Sequence, residues 1–296
     1  MNVLESPSRK IFILANYFIL TLTGIICLIP FVNLFAISFS DSGPVSAGEV
    51  VFWPVKFSLA SYTFAVTNGK FFPALFISLK RILLGVSVNL AFMIMAAYPL
   101  SKPKEQFRAR NFFMVYFVIT MIIGGGLIPT YILVTRLKLL NSLWALVLPG
   151  ALPVWTMVIL MNFIRQMPQD IEEAAMIDGA GVFRRLAGVL LPLLKPALAT
   201  VSLFCAVGHW NDWFSGLIYM QSPARYPLQT YLQTLLLSME EMMRIADVDF
   251  IQLLSMMNAR TGRAAQLFLG ALPMMILYPF LQKYFTKGLV IGSVKG

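Results

Sequence analysis

Charged residues are scarce in this chain. Asp, Glu, Lys and Arg make up only 12% of its 296 residues, roughly half the share found in soluble domains. Hydrophobic residues make up 58%, and several apolar runs exceed the roughly 20 residues that cross a bilayer. The composition therefore predicts a polytopic membrane protein. Its net charge of +10 is better explained by Lys and Arg in cytoplasmic loops beside anionic lipid than by nucleic-acid binding.

Histidine and cysteine are nearly absent. The one histidine, His209, and the two cysteines, Cys27 and Cys205, do not have the spacing of a metal site or a disulfide framework. The phosphate-loop pattern GxxxxGK[ST] and the hydrolase patterns HExxH and GxSxG are missing from the sequence as well. We therefore expect a chain that is not an enzyme and that binds no metal or cofactor of its own.

Six hydrophobic segments predict six transmembrane helices, and hence an all-α fold in a single domain, 1–296. The expected spans are 12–38, 80–101, 111–135, 142–164, 194–220 and 264–286. Prolines inside these spans indicate kinks or breaks, since neighbouring helices can satisfy the freed backbone groups. The run Gly124 to Gly126 fits either a hinge or a close helix contact.

Basic residues predict the orientation in the membrane. They are concentrated before the first span, between the second and third spans, between the fourth and fifth spans, and in the tail, whereas the third-to-fourth connection has only Arg136 and Lys138. The positive-inside rule then places both termini and the connection at 168–192 in the cytoplasm. Lys80 and Arg81 are expected to snorkel at the outer end of the second span.

Two long segments are expected on the outer side, 41–70 and 222–263. The first is polar and interrupted by Gly and Pro. The second contains a stretch with helical apolar periodicity. This stretch fits either a surface that contacts a partner or a solvated loop with one amphipathic helix.

The connection at 168–192 predicts a helix, a turn and a second amphipathic stretch. Pro168 suits the first turn of a helix, where a missing N–H is harmless. The acidic residues Asp170, Glu172 and Glu173 follow it and suit the positive end of the helix dipole. Gly179 can adopt a positive φ and turn the chain.

The same connection resembles the EAA loop of bacterial ABC importer permeases. Glu173-Ala174-Ala175 is followed by three intervening residues and Gly179, then by nine intervening residues and Val189, and after one more residue by Leu191 and Pro192; Val189 stands where Ile is usual. The resemblance implies the type I ABC importer permease fold and a cytoplasmic helix that docks on a separate ATPase. The residues that it assigns to ATPase coupling are Glu172, Glu173, Ala174, Ala175, Asp178, Gly179, Leu191 and Pro192.

Most of the chain after residue 76 is similar to the smaller permease of carbohydrate importers such as the maltose importer. The similarity is carried by AAYPLS at 96–101, LLNS at 139–142, HWNDW at 209–213 and the tail at 282–296. The long last outer loop and the tail resemble the subgroup that includes permeases for alginate and pectin-derived oligosaccharides. The family implies a second permease, two ATPase subunits that hold ATP and Mg, and an extracytoplasmic solute-binding protein.

Candidate contacts with substrate follow from the residues of the fifth span, and those with partners follow from the same resemblance. Asp212 is an ionisable residue in or near an apolar span, and such residues usually face a bundle interior or water. The candidate translocation path is His209, Asn211, Asp212 and Trp213; helix packing and an interfacial aromatic belt are the alternative. The family implies that the tail contacts the ATPases, with Lys287, Gly288, Gly292, Lys295 and Gly296 as candidates. It also implies that the outer loop near 238–262 reaches the binding protein.

Two other classes of membrane protein remain open at this point. An ion-coupled secondary transporter commonly shows inverted repeats and midplane charges, but no convincing internal repeat is visible here. A membrane-embedded enzyme would have to operate with a single histidine. Dependence on a separate ATPase would distinguish the importer from both.

Overall fold

The computed structural model describes residues 7–67, 70–234 and 260–276. These residues form helices and connecting turns, and their strand-like pairing is limited to one isolated bridge between Ser40 and Phe57. The all-α prediction is confirmed. The described chain divides into two compact units, one of 7–67 with 234 and 260–271, the other of 70–233 with 272–276.

The first unit contains the longest helix. Helices α1 (Pro7–Ser38), α2 (Ser42–Ser46) and α3 (Ala60–Thr67) form in this order, and residues 260–271 are helical. Most large apolar side chains of α1 are exposed, as suits a helix surrounded by lipid. After α1 the chain folds back, so that Phe57 stacks on Phe39 with ring centroids 5.6 Å apart.

The second unit is a bundle around α4. Its helices are α4 (Phe71–Ser101), α5 (Arg110–Ile122), α6 (Leu127–Arg136), α7 (Leu143–Val147), α8 (Val154–Arg165), α9 (Gln169–Ile177), α10 (Val182–Arg184), α11 (Leu191–Leu193), α12 (Lys195–Asn211) and α13 (Phe214–Tyr219). Helix α4 packs against α8 and α12, which also contact each other. Buried residues at helical spacing, including Met93 and Ala97 of α4 and Met157 and Leu160 of α8, form the core.

The helices correspond to five of the six expected spans. Residues 8–38 and 71–101 are each long and apolar enough to cross a membrane unbroken. Three bent pairs also qualify by length and composition: α5 with α6, 143–150 with α8, and 182–193 with α12. The sixth expected span, 264–286, extends beyond the described residues, so the count of six remains a prediction.

Three of the expected spans are broken, two of them at the glycine run and the prolines where the sequence allows a hinge or a kink. The chain bends by 110° between α5 and α6, where Gly126 has a φ of +80°; a packing role alone for the glycine run is therefore insufficient. A 56° bend precedes α8, beside Pro149 and Pro153. The fifth span is interrupted at Asp212 and Trp213, because α12 ends at Asn211 and α13 begins at Phe214.

Candidate functional site

The connection at 168–192 forms the helix that its sequence predicts. Helix α9 begins directly after Pro168, which has a φ of −57° and a ψ of 127°. Asp170 and Glu172 lie in its first turn, where their charges offset the exposed N–H groups of the helix end. The segment from Val182 to Leu193 then turns into α12 through an angle of 82°.

A Schellman motif ends α9. Gly179 has a φ of +74°, a conformation that residues with a Cβ rarely adopt. Its N–H donates to the carbonyl of Met176 at 3.0 Å, and the N–H of Ala180 donates to the carbonyl of Ala175 at 2.9 Å. These two bonds are the 5→2 and 6→1 pair of the motif. The positive φ predicted for Gly179 is confirmed.

Large apolar side chains are exposed on both sides of this turn. Ile177 and Phe183 are each 87% exposed, and Met176 and Val182 are about half exposed. Together they form what we call the turn patch (Met176, Ile177, Val182 and Phe183). Exposed apolar residues grouped in a polar connection indicate a protein contact.

The residues assigned to coupling by their pattern do not all face the same way. Glu173, Ala174, Asp178, Gly179 and Pro192 are exposed, and Ala175 and Leu191 are partly buried. Glu172 is turned inward, where it accepts a hydrogen bond from the Tyr98 hydroxyl and pairs with Lys102.

The pKa of Glu172 reports these contacts. Burial raises it, but the hydrogen bonds from Lys102 and Tyr98 and the charges of Lys102 and Arg185 together hold it below the ordinary value of 4.5. A carboxyl group with a lowered pKa stabilises the fold above its unfolded pKa. This contribution to stability is lost only when the pH falls through the pKa of Glu172 in the folded chain, so the carboxylate stays charged near neutrality.

A second feature of the bundle is a cavity of about 410 Å³ between α4, α8 and α12. A volume of this size lies within the range of ligand pockets. Its polar lining consists of Arg81, Asn89, Thr156, His209, Asp212, Ser215 and Tyr219.

Arg81 and Asp212 form an ion pair at one side of this cavity. Arg81 is only 1% exposed, whereas the Asp212 side chain is one-third exposed. The guanidinium also donates to the backbone carbonyl of Asp212 at 2.7 Å. The free carboxylate oxygen accepts the N–H of Ser215 at 3.1 Å, so the break between α12 and α13 holds the acid in place. The expectation that Arg81 snorkels at a helix end is wrong, because α4 begins at Phe71 and its buried arginine has a partner.

His209 is held by Asn89, which lies eight residues after Arg81 on α4. Its Nε2 lies 2.8 Å from Oδ1 of Asn89, and since an amide oxygen can only accept, Nε2 carries the proton. The Asn89 amide donates in turn to the carbonyls of Gly150 and Ala151, at 2.8 and 2.9 Å. Helix α4 is thus joined through Asn89 both to α12 and to the bend before α8.

The structure brings together two of the four candidate path residues. His209 and Asp212 line the cavity. Asn211 and Trp213 are exposed and do not belong to its lining. Asn211 is the last residue of α12, and Trp213 lies past the end of that helix. The tail candidates from Lys287 to Gly296 and most of the 238–262 loop lie outside the described residues.

A side chain at position 85 is expected to destabilise the fold, because His209 lies against Gly85. A Cβ at position 85 would stand 2.3 Å from Nε2 of His209. We expect Gly85→Ala to lower stability by about 1–3 kcal/mol through overpacking, measured as thermal unfolding in detergent. Adding His209→Ala should recover part of that loss.

Gly24→Ala in α1 is the matched control, because a Cβ there meets nothing within 4 Å. It should leave the unfolding temperature unchanged or raise it slightly, since alanine favours helix. Equal effects of the two alanines would show that His209 does not occupy the space beside Gly85.

Comparison with known proteins identifies the class of protein that carries this turn and this bundle. Residues 93–291 match the family described as binding-protein-dependent transport system inner membrane component. The chain belongs to this family, and it is therefore a membrane component of a transport system. The predicted family is confirmed.

The relatives that it resembles cover nearly its whole length. Protein LplC of Bacillus subtilis (strain 168) is 36% identical over 299 residues, 99% of this chain and 97% of LplC. The polygalacturonan/rhamnogalacturonan transport system permease protein YtcP of the same organism is 33% identical over 288 residues, 97% of this chain and 99% of YtcP. A crystal structure of a bacterial ABC transporter involved in the import of the acidic polysaccharide alginate matches with a TM-score of 0.82. It is 29% identical, and the match covers 95% of this chain and 99% of that one.

Proposed function

We propose that this chain is one permease subunit of an ATP-driven importer that takes up an oligosaccharide or polysaccharide. The observation that carries the proposal is the exposed helix and turn at 169–183, within the segment that matches the transport family. Relatives whose names refer to polygalacturonan, rhamnogalacturonan and alginate support a carbohydrate substrate, with an acidic polymer such as alginate or a pectin fragment as the first candidates.

The proposed coupling surface combines charge and apolar area. Glu173 is exposed on α9 and suits a cationic side chain of the ATPase. The turn patch supplies exposed Ile177 and Phe183 beside it, and large side chains that fill pockets commonly dominate the energy of an interface. Movement of two ATPase subunits as they bind ATP and Mg would reach the membrane helices through α9.

The cavity is the proposed part of the substrate path in this subunit. The carboxylate of Asp212 is partly exposed to it and has lone pairs left to accept sugar hydroxyls. His209 and Thr156 line the same space. A second permease would complete the path, and an extracytoplasmic binding protein would deliver the sugar to the outer side.

The proposed location is the bacterial inner membrane with both termini in the cytoplasm. Basic residues near α9 and between α4 and α5 support this orientation. The tail at 282–296 is proposed to contact the ATPases, and the loop near 238–262 to reach the binding protein. These two segments are assigned by their resemblance to the family.

Co-purification tests the assembly. A tagged chain isolated from its own membrane in mild detergent is expected to bring a second permease and an ATPase pair. Hydrolysis of ATP should rise when one binding protein loaded with its oligosaccharide is added, because loaded binding protein would favour the conformation that closes the ATPases. A chain that purifies alone, without an ATPase, would contradict the proposal and favour an ion-coupled transporter.

A further inference from the structure

Glu172 occupies a closed triangle of side chains at the carboxy-terminal end of α4. The Tyr98 hydroxyl donates to one carboxylate oxygen at 2.6 Å, and Lys102 pairs with the other. The Lys102 ammonium also lies 4.3 Å from the centroid of the Tyr98 ring. Each of the three groups therefore contacts the other two, and the carboxylate belongs to α9 while its partners belong to α4 and the residue after it.

The α4 end of this triangle is itself firmly held. Tyr98 is 8% exposed and packs in the core with α8 and α12. Arg165 of α8 donates to the carbonyl of Leu100 at 3.0 Å, and Arg110 donates to the carbonyl of Lys102 at 3.2 Å. These bonds satisfy carbonyls that the end of a helix leaves without partners. A force on Glu172 would thus move α4 rather than a loose terminus.

Glu173, the next residue along α9, differs in its surroundings. It is exposed, whereas the Glu172 side chain is only 18% exposed. Consecutive residues on a helix point about 100° apart, so α9 can present one acid outward and the other to its own subunit. The two glutamates therefore have separate tasks.

We propose that Glu172 is the positioning residue that joins the coupling helix to α4 within this subunit, so that movement of α9 is passed to the helix that lines the cavity. Arg81 and Asn89 lie on the same helix, and Arg81 is on the order of 25 Å along its axis from Tyr98 at 1.5 Å per residue. A continuous helix of this kind transmits displacement between its ends. The inference rests on the proposed function, because it assumes an ATPase that moves α9.

The test uses the whole transporter in proteoliposomes and measures sugar taken up per ATP hydrolysed. Glu172→Gln keeps the shape but removes the charge, and it is expected to lower this ratio on the order of tenfold, the scale of a typical coupling energy between two sites. The ATPase should still co-purify in the wild-type amount. Lys102→Met should lower the ratio similarly, and the charge swap Glu172→Lys with Lys102→Glu should restore part of it.

Two other glutamates give the contrast. Glu173→Gln is expected to weaken association with the ATPase, seen as less ATPase in the purified complex. Glu105→Gln changes an exposed acid between α4 and α5 and should leave both quantities unchanged. A fall in the ratio at an unchanged unfolding temperature and an unchanged ATPase content is the readout that a merely structural contact would not produce. Rescue by the charge swap then assigns the fall to the ion pair of Glu172 and Lys102.

Several results would overturn the inference. One is that Glu172→Gln takes up as much sugar per ATP hydrolysed as the wild type. Another is that the ATPase no longer co-purifies with this variant, which would place Glu172 at the subunit interface. If Glu172→Gln does not fold, Tyr98→Phe is measured instead, since it removes only the 2.6 Å hydrogen bond to Glu172. A fall in the ratio that is smaller than the one expected for Glu172→Gln supports the link between α9 and α4. An unchanged ratio overturns it. Failure of the proposed function is distinguishable, because the wild-type complex would then show no ATP-dependent uptake at all.

Discussion

Gly179→Val is expected to abolish sugar uptake while the complex continues to hydrolyse ATP. Gly179 has a φ of +74°, and the left-handed conformation costs an ordinary residue roughly 1–2 kcal/mol, with β-branched residues at the unfavourable end. A Cβ there would meet no atom within 4 Å. The free-energy cost of valine therefore comes from the backbone conformation alone. The chain should relieve this cost by losing the Schellman turn, and the turn patch would then point in a different direction.

Two variants make this prediction specific. Gly179→Asn should retain most uptake, because asparagine tolerates positive φ. Gly181→Val places the same side chain two residues on, where φ is −66° and a Cβ also meets nothing within 4 Å; it should behave as wild type. Equal losses in Gly179→Val and Gly181→Val would indicate that bulk at the partner surface, and not the turn, is what matters.

Asp212→Asn is expected to destabilise the folded chain by about 3 kcal/mol, seen as a lower thermal unfolding temperature in detergent. It leaves Arg81, which is 1% exposed, as a buried charge without its counter-ion. Breaking such a pair typically costs about 3–5 kcal/mol, and the lower figure applies because Asp212 is one-third exposed. Asparagine can still accept the Ser215 N–H, so the helix break itself should persist.

Removing the charge of Arg81 instead should destabilise the folded chain less. Arg81→Met leaves the carboxylate at the cavity, where water can reach it and Ser215 still donates to it. The double variant should be more stable than Asp212→Asn alone, since it removes the unpaired cation. If Asp212→Asn and Arg81→Met lower the unfolding temperature equally, the unequal burial of the two charges does not control their energetics.

The coupling loop could be predicted from sequence because its rules are local. Pro168 and Gly179 act on the backbone at their own positions, and the helix and the positive φ appear where expected. Family membership likewise follows from spacing within a short segment. The turn patch was missed, although apolar Ile177 and Phe183 in a polar connection were a readable signal.

The cavity could not be predicted from such local rules. The Arg81–Asp212 pair joins residues 131 positions apart, and a local rule assigned Arg81 to a membrane interface. The break after Asn211 was also missed, because the two residues that follow it, Asp212 and Trp213, are neither Gly nor Pro. As a result, the candidate path residue Trp213 lies past the end of α12 and outside the lining of the cavity.

The inward turn of Glu172 shows the same limit. The pattern grouped it with Glu173, since both acids favour a helix start equally. Only the packing of α9 near the end of α4 separates them. Tyr98 lies 74 positions before Glu172, and nothing near either residue indicates the pairing.

Crosslinking from Ile177 tests most directly whether the turn contacts an ATPase. The variant would carry Ile177→Cys, with Cys27→Ser and Cys205→Ala removing the native thiols, and a maleimide–amine reagent would be added to native membranes. Leu137→Cys, 57% exposed in the connection between α6 and α7, serves as the control on the side proposed to be extracytoplasmic. We predict a crosslink to an ATPase subunit from position 177 and none from position 137. A thiol at 177 that reacts with maleimide but captures no ATPase would contradict the account.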